Sequence, residues 1–256
     1  MNYLKRSFIL TALCLLVWQH ASAQVYNTAR LDRLLRTYVS DTGYVDYEAW
    51  FNNDQDLADV REFVADLAEF DPSTLASEDE QLAFWINAYN ILAIEEVLER
   101  YPVDTIRPSI LRIPERSFFT EQEHVVNGEN YSLDEIENEV IRRDFNEPRI
   151  HFAINCASES CPALRAEAYT AEKLETQLQE QAIAFINNPA RNQFDATTNT
   201  AHLSRIFDWF EEDFEIDGGG VADYLLPFVE GDAAAVLTSD DLTIRHLRYD
   251  WSLNQQ

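Results

Sequence analysis

The stretch LAFWINAYNILAIEEVLERY at residues 82–101 decides the fold class, because it predicts one long buried helix. Ser77 and Glu80 precede it at capping-box spacing, in which the two side chains satisfy the first free N–H groups of a helix. Apolar residues surround most of the circumference of the first turns, which is typical of a central helix. Pro102 cannot continue a helix, so we predict a helix from about Glu78 to Arg100.

Shorter helical and extended segments lie on both sides of this helix. Asn127-Gly128 is a typical hairpin turn within HVVNGENY, and apolar residues recur at helical spacing in several other stretches. We expect an α+β fold, a helix-rich single domain with a small, mostly antiparallel sheet. The predicted helices span about 27–39, 54–70, 132–143, 170–186, 204–210, 221–228 and 233–237, and the predicted strands and hairpins 124–131, 149–155, 193–203 and 242–247.

The composition excludes several classes of protein. The 256 residues are 46% hydrophobic and 12% aromatic, which is incompatible with a wholly disordered chain. The formal charge is −27, so we expect no nucleic-acid partner, because such a partner needs a basic face. The chain has only three cysteines, too few for a cysteine-dense scaffold.

The N-terminal segment has the pattern of a secretory signal peptide. Lys5 and Arg6 precede an apolar run at 8–18, and an A-S-A cleavage signature ends at Ala23. We therefore predict a signal peptide at 1–23, a single domain at 24–256, and export to the periplasm or the extracellular medium. No second apolar run reaches the roughly 20 residues of a membrane span, so we expect no stable membrane insertion after cleavage.

The segment SLDEIENEVIRRDFNEPRIHFAINCASESCPAL at 132–164 carries a family resemblance. It closely resembles the domain-of-unknown-function 547 (DUF547) family, whose pattern joins a DIEN-like helix to a PRIHFALNCAS-SCP-L stretch. The resemblance implies no established activity, although a glutaredoxin domain attached to some members points toward thiol chemistry. Other matching pieces are VDYEAW at 45–50, FWINAYN at 84–90, LSRIFDWFEEDF at 203–214 and YDWSLN at 249–254.

His151, Cys156 and Cys161 form the densest reactive cluster of the sequence, spaced H-x4-C-x4-C. A thiol nucleophile needs a neighbouring base and a group that orients that base. Cys156 is the candidate nucleophile, with His151 or His246 as the candidate base. Asn155 shares a face of the predicted strand 149–155 with His151 and joins the candidate catalytic set.

Other polar residues near this cluster are candidate binding groups. The hydroxyls of Ser158 and Ser160 in the cysteine turn could bind an anion, and Arg149 could hold a carboxylate. Asn87 and Asn90 are unusual in so apolar a helix, where buried amides need partners. Pairing within the protein is the alternative for Arg149, Asn87 and Asn90.

A structural interpretation stands beside the catalytic one. A Cys156–Cys161 disulfide would close a short loop and stabilise the fold by about 2 kcal/mol, but it would leave no nucleophile. The spacing matches no standard zinc pattern, so we predict neither a metal nor another cofactor. Two functions stay open: a thiol-dependent hydrolase or acyltransferase, and a non-catalytic envelope or extracellular binding protein. The partner would be a small molecule or a peptide, and the oligomeric state stays open.

Overall fold

The computed structural model describes residues 27–107, 118–120, 124–215 and 218–256, so the predicted signal peptide lies outside the described residues. The α-helices are α1 (Ala29–Tyr38), α2 (Tyr47–Phe51), α3 (Asp54–Glu69), α4 (Glu78–Arg100), α5 (Leu133–Glu135), α6 (Arg142–Asp144), α7 (Leu174–Ile186), α8 (Ile206–Trp209), α9 (Val221–Leu225) and α10 (Gly231–Leu237). A π-helix, Ile136–Ile141, joins α5 to α6, and 3-10 helices span Pro72–Thr74, Pro148–Phe152, Glu211–Phe214 and Leu226–Phe228.

The strands form two small sheets, which confirms the helix-rich α+β class. Strands β1 (His124–Val126) and β2 (Glu129–Tyr131) make an antiparallel hairpin. Its turn is Asn127-Gly128, where both residues have positive φ, as the sequence predicts. The second sheet has the order β3 (Gln193–Asp195), β4 (Thr200–Leu203) and β5 (Thr243–His246). Strand β5 pairs with β4 in parallel, whereas β3 pairs with β4 antiparallel.

Helix α4 has the predicted bounds, and most of its residues are buried. The Ser77 hydroxyl accepts a hydrogen bond from the Glu80 N–H at 3.2 Å, and the Glu80 carboxylate accepts from the Ser77 N–H at 3.3 Å. Phe84 and Ile91 are fully buried, in a hydrophobic cluster to which α1, α3 and the π-helix also contribute. The capping box and the apolar circumference therefore act together, as the sequence indicates.

The strand predicted at 149–155 is wrong. Residues 148–152 form a 3-10 helix, in which Glu147 caps the Arg149 N–H at 3.0 Å and Pro148 occupies the first turn. Ile150 packs in the cluster around α4, whereas Phe152 packs in a second cluster with Phe185, Phe207 and Phe214. This short helix therefore lies where the two hydrophobic clusters meet.

The C-terminal segment, residues 249–256, ties three parts of the chain together. The Leu253 N–H donates to the Asp104 carbonyl at 3.0 Å, and the Asn254 N–H donates to the Ala157 carbonyl at 3.0 Å. The Val45 N–H in turn donates to the Asn254 carbonyl at 3.0 Å. These bonds hold the aromatic side chains of 249–251 beside the cysteine turn.

Candidate functional site

A cavity of about 340 Å³ lies between the cysteine turn and the C-terminal segment. Six aromatic rings line it, and they come from four separate parts of the chain. His151, Cys156 and Cys161 line the same cavity, together with the carboxyl groups of Asp134 and Glu137. The lining aromatic residues are Tyr89, Phe119, Trp209, Phe210, Tyr249 and Trp251. A cavity of this size with apolar walls and a few polar groups is typical of a small-molecule site.

The two cysteines of the turn form a pair at disulfide-bonding distance, with their sulfur atoms 2.15 Å apart. Ala157 follows Cys156 with a φ of 62°, and its N–H donates to the Asn155 side chain at 2.8 Å. This left-handed residue reverses the chain, so Cys156 and Cys161 can meet across a turn.

Two hydroxyl groups contact the sulfur atom of Cys156. Ser158 Oγ lies 3.0 Å from it and Tyr249 Oη lies 3.2 Å from it. The two hydroxyls are 2.9 Å apart and bond to each other. A disulfide sulfur carries no hydrogen and can only accept a hydrogen bond. Any hydrogen bond to it is therefore donated by the hydroxyl of Ser158 or of Tyr249. The cysteine pair is therefore fixed to the C-terminal segment through side chains as well as through the backbone.

His151 is buried at the edge of the cavity and is bonded to a carboxylate. Its Nε2 lies 2.6 Å from Asp213 Oδ2, and its ring stacks on Phe210 with centroids 4.2 Å apart. Burial lowers the pKa of His151, against the opposing effect of Asp213. Burial acts to raise the pKa of Asp213, but hydrogen bonds from His151 and Arg142 hold that pKa below its ordinary range. At neutral pH a neutral imidazole therefore donates its Nε2–H to an ionised Asp213.

Glu137 lies in the π-helix, a rare local conformation that is frequent at functional sites. Its Oε1 is 3.9 Å from His151 Nδ1, too long for a hydrogen bond, and it shares a hydrogen bond with Tyr89. Burial raises the pKa of Glu137 to about 7, and the positive charge of Arg142 opposes this effect. A carboxyl group that titrates near neutral pH inside a cavity is a candidate functional group.

The structure places the predicted catalytic residues unequally around this cavity. Cys156 and His151 line it. His246, on β5, is outside the lining, with its Nδ1 3.6 Å from Asp208 Oδ1. The Asn155 amide donates to the Pro162 carbonyl at 2.6 Å and is buried, which is a structural role in the turn.

The predicted binding residues mostly serve the fold. Arg149 is paired with Glu147 and Glu175 at 2.6 and 2.8 Å. Asn87 bonds the backbone of Tyr169 in both directions, at 2.8 and 2.9 Å. Asn90 likewise bonds the carbonyl of Ala153 and the N–H of Asn155. Ser160 Oγ accepts from the Asp250 N–H at 2.9 Å, and Ser158 contacts Cys156 and Tyr249.

A larger cavity of about 420 Å³ also reaches Cys161 and includes Asn155 and Ser158. Its cationic side chain, Arg191, contacts both the carbonyl and the carboxylate of Glu159. The cationic group of this cavity is thus paired within the protein, whereas the smaller cavity holds exposed aromatic surface: Trp209 is 42% exposed.

Sequence reasoning missed Glu137 and the wall made by Trp209, Tyr249 and Trp251. A signal was present, because IFDWF and YDWSLN both belong to the pieces that carry the family resemblance. Their roles depend on the folded arrangement, since the wall joins residues about forty positions apart in the chain.

Comparisons with known proteins give one result. Residues 72–186 match the model of a family described as "Protein of unknown function, DUF547". No curated protein and no solved structure gives a significant match to the chain. The matched segment contains Glu137, His151 and both cysteines of the turn, whereas the wall of Trp209, Tyr249 and Trp251 lies beyond it.

Two further features concern the described part of the chain alone. None of its helices combines the length and the apolar character that crossing a membrane requires. None of its groups of His, Cys, Asp and Glu side chains is arranged, three or more together, to hold a metal ion.

Proposed function

The chain belongs to the DUF547 family, and from that premise we propose that it is an exported binding protein for a small molecule. The ligand site is the aromatic cavity beside Cys156 and Cys161. One observation carries the proposal: a cavity of about 340 Å³ has aromatic walls, few polar groups and a cysteine pair at bonding distance. A closed bridge offers no thiolate, and a thiolate is the form of cysteine that attacks a substrate.

The bridge has a structural role in this proposal. It fixes the turn that carries Ser158, and Ser158 bonds to the hydroxyl of Tyr249. Tyr249 is part of the aromatic wall, with its ring 4.5 Å from that of Trp251. A wall that is already rigid loses little conformational entropy when a ligand binds, which favours binding. Export, predicted from residues 1–23, is consistent with such a bridge, because disulfides persist in oxidising compartments.

Ligand-observed NMR on a library of small soluble compounds tests this proposal. We expect hits whose binding is lost in Trp209→Ala and retained in Phe51→Ala. The control is matched, because Trp209 is 42% exposed and Phe51 is 37% exposed, yet only Trp209 lines the cavity. Hits that bind equally to both variants would contradict the assignment of the site.

A thiol-dependent hydrolase or acyltransferase is the second candidate. It is favoured by one observation, that Cys156 and His151 line the same cavity while Asp213 holds His151. A nucleophile, a base and a group that orients the base are the parts that such chemistry needs. The bridge must first be reduced by a thiol reductant, which supplies two electrons and leaves both cysteines as thiols.

Alkylation kinetics of the reduced protein test this second candidate. If His151 activates Cys156, iodoacetamide labels Cys156 rapidly in the wild type and at least about tenfold more slowly in His151→Gln. His246→Gln is the control, because His246 does not line the cavity. Equal rates in all three proteins would rule out activation by His151.

A further inference from the structure

We propose that the ligand of the aromatic cavity carries a compact ammonium group, which the rings and carboxyl groups of the cavity bind together. This inference rests on the proposed function and names the chemical class of its ligand. Aromatic rings and carboxyl groups meet in this one cavity.

The wall of the cavity is a continuous set of electron-rich rings. The Trp209 ring lies 4.8 Å from Tyr249 and 5.7 Å from Trp251, between ring centroids. Phe119 extends this set, with its centroid 6.1 Å from that of Trp251. A cation within about 6 Å of such a ring face is attracted by the ring quadrupole, most strongly by tryptophan. Several rings around one cavity add such attractions for one small cation.

The protein already places its own cations on two rings of this cavity. The Arg205 guanidinium carbon lies 5.8 Å from the centroid of Trp209. The Arg142 guanidinium carbon lies 4.9 Å from the centroid of Phe210, while Arg142 also binds Asp213 at 2.8 Å. These contacts show that the rings accept cations from outside the cavity, and neither arginine lines its interior.

The interior of the cavity carries acidic groups without a matching cation. Asp134 and Glu137 line it, and among its described lining residues none is a lysine or an arginine. His151 is neutral at neutral pH, because burial lowers its pKa. The charged and titratable groups that face Glu137 are Tyr89, Asp134, Arg142, His151, Asp213 and Tyr249. Since Arg142 is bonded to Asp213 and Glu212, an ionised Glu137 would gain a direct partner from a cationic ligand.

The negative charge of the whole chain also favours a cationic ligand. A formal charge of −27 gives the surface a negative potential, which raises the local concentration of cations and repels anions. An anionic ligand would face both this potential and the carboxyl groups of the cavity. A neutral apolar ligand would contact the rings without gaining from the carboxyl groups. The experiment must therefore distinguish an ammonium ligand from a neutral ligand of the same shape.

Choline and 3,3-dimethylbutan-1-ol are a suitable pair of probes, because they share one shape and differ in the charged nitrogen. Isothermal titration calorimetry at pH 8 and constant ionic strength gives both affinities for the purified protein. We expect choline to bind at least about tenfold more tightly than the neutral alcohol. Glu137→Gln should remove most of this preference, because it weakens the binding of choline more than that of the alcohol.

Glu139→Gln is the control, because Glu139 is an exposed glutamate of the same π-helix and does not line the cavity. We expect it to keep the wild-type preference, and Trp209→Leu to weaken choline more than the alcohol. Equal affinities of the two probes for the wild type would overturn the ammonium assignment and leave the cavity as a ligand site. Absence of binding by both probes up to about 10 mM would overturn the assignment and count against the cavity itself.

Discussion

Replacing Glu137 with glutamine should change how the stability of the protein depends on pH. The pKa of Glu137 is about 7 in the folded protein, because burial disfavours its charged form, and its ordinary value is 4.5. Between pH 4.5 and 7 the folded state therefore holds a proton that the unfolded state has lost. The stability that Glu137 contributes is complete below pH 4.5 and is lost as the pH rises through 7.

The size of the effect follows from the difference between the two pKa values. A difference of about 2.5 pKa units corresponds to about 3 kcal/mol at pH 8, where the carboxylate is ionised in both states. The Glu137 side chain is only 17% exposed, so water screens this penalty incompletely. Glutamine resembles the protonated carboxyl group and carries no charge. Glu137→Gln should therefore match the wild type near pH 4.5 and exceed its unfolding free energy by up to about 3 kcal/mol at pH 8.

Urea unfolding followed by circular dichroism at pH 4.5, 6 and 8 measures this difference. Burial also raises the pKa of Glu95 to about 7. Because Glu95 is present in both proteins, its contribution to the pH dependence cancels when their stabilities are compared. The exposed Glu139→Gln should show no change at any pH. An equal offset of Glu137→Gln at pH 4.5 and pH 8 would refute the reasoning. A gain at pH 8 alone would mean that the protein keeps a destabilising carboxyl group in its cavity, as expected of a functional residue.

Three further variants test the fold around the site, each by the loss of unfolding free energy in urea. Phe152→Ala removes a fully buried ring from the second cluster and should lose about 3–5 kcal/mol; a loss below about 1 kcal/mol would contradict its packing. The double substitution Cys156→Ala with Cys161→Ala opens a loop of sequence separation 5 and should lose about 2 kcal/mol, whereas no loss would show that the bridge does not restrain the unfolded chain. Gly43→Ala places a methyl group 2.5 Å from Ala163 Cβ at a φ of +84°, so it should lose at least about 2 kcal/mol, and wild-type stability would refute that close contact.

The sequence predicts best those elements whose signals are local. The capping box at Ser77 and the following Pro102 fix both ends of α4, and the structure confirms them. The Asn127-Gly128 turn likewise specifies its own hairpin, because both residues tolerate positive φ. Such signals need no tertiary contact to be understood.

The strand predicted at 149–155 failed for a physical reason. A strand with one exposed face would bury every second side chain. Here the consecutive residues Ile150, His151 and Phe152 are all buried, so the alternation in the sequence does not correspond to an exposed and a buried face. The helix signal was nevertheless local, since Glu147 and Pro148 form a typical helix start. Glu147 and Pro148 therefore determine the local structure of this segment, and the residue pattern that follows them does not.

The candidate site was only half predictable. The H-x4-C-x4-C motif led to His151, Cys156 and Cys161, which do line one cavity. Glu137 could not be singled out among 46 acidic residues, because its raised pKa comes from burial by other segments. The parallel pairing of β5 with β4, and the return of the C-terminal segment to the cysteine turn, are likewise tertiary outcomes that no local signal specifies.

The mass of the purified protein, with and without iodoacetamide and without any reductant, tests the central claim most directly. The claim is that Cys156 and Cys161 are bridged beside a cavity that binds a ligand. It predicts a mass lower than the reduced mass by two hydrogen atoms, and no adduct on either cysteine in the mapped peptides. Rapid single labelling of Cys156 in the resting protein would contradict it and favour the thiol enzyme.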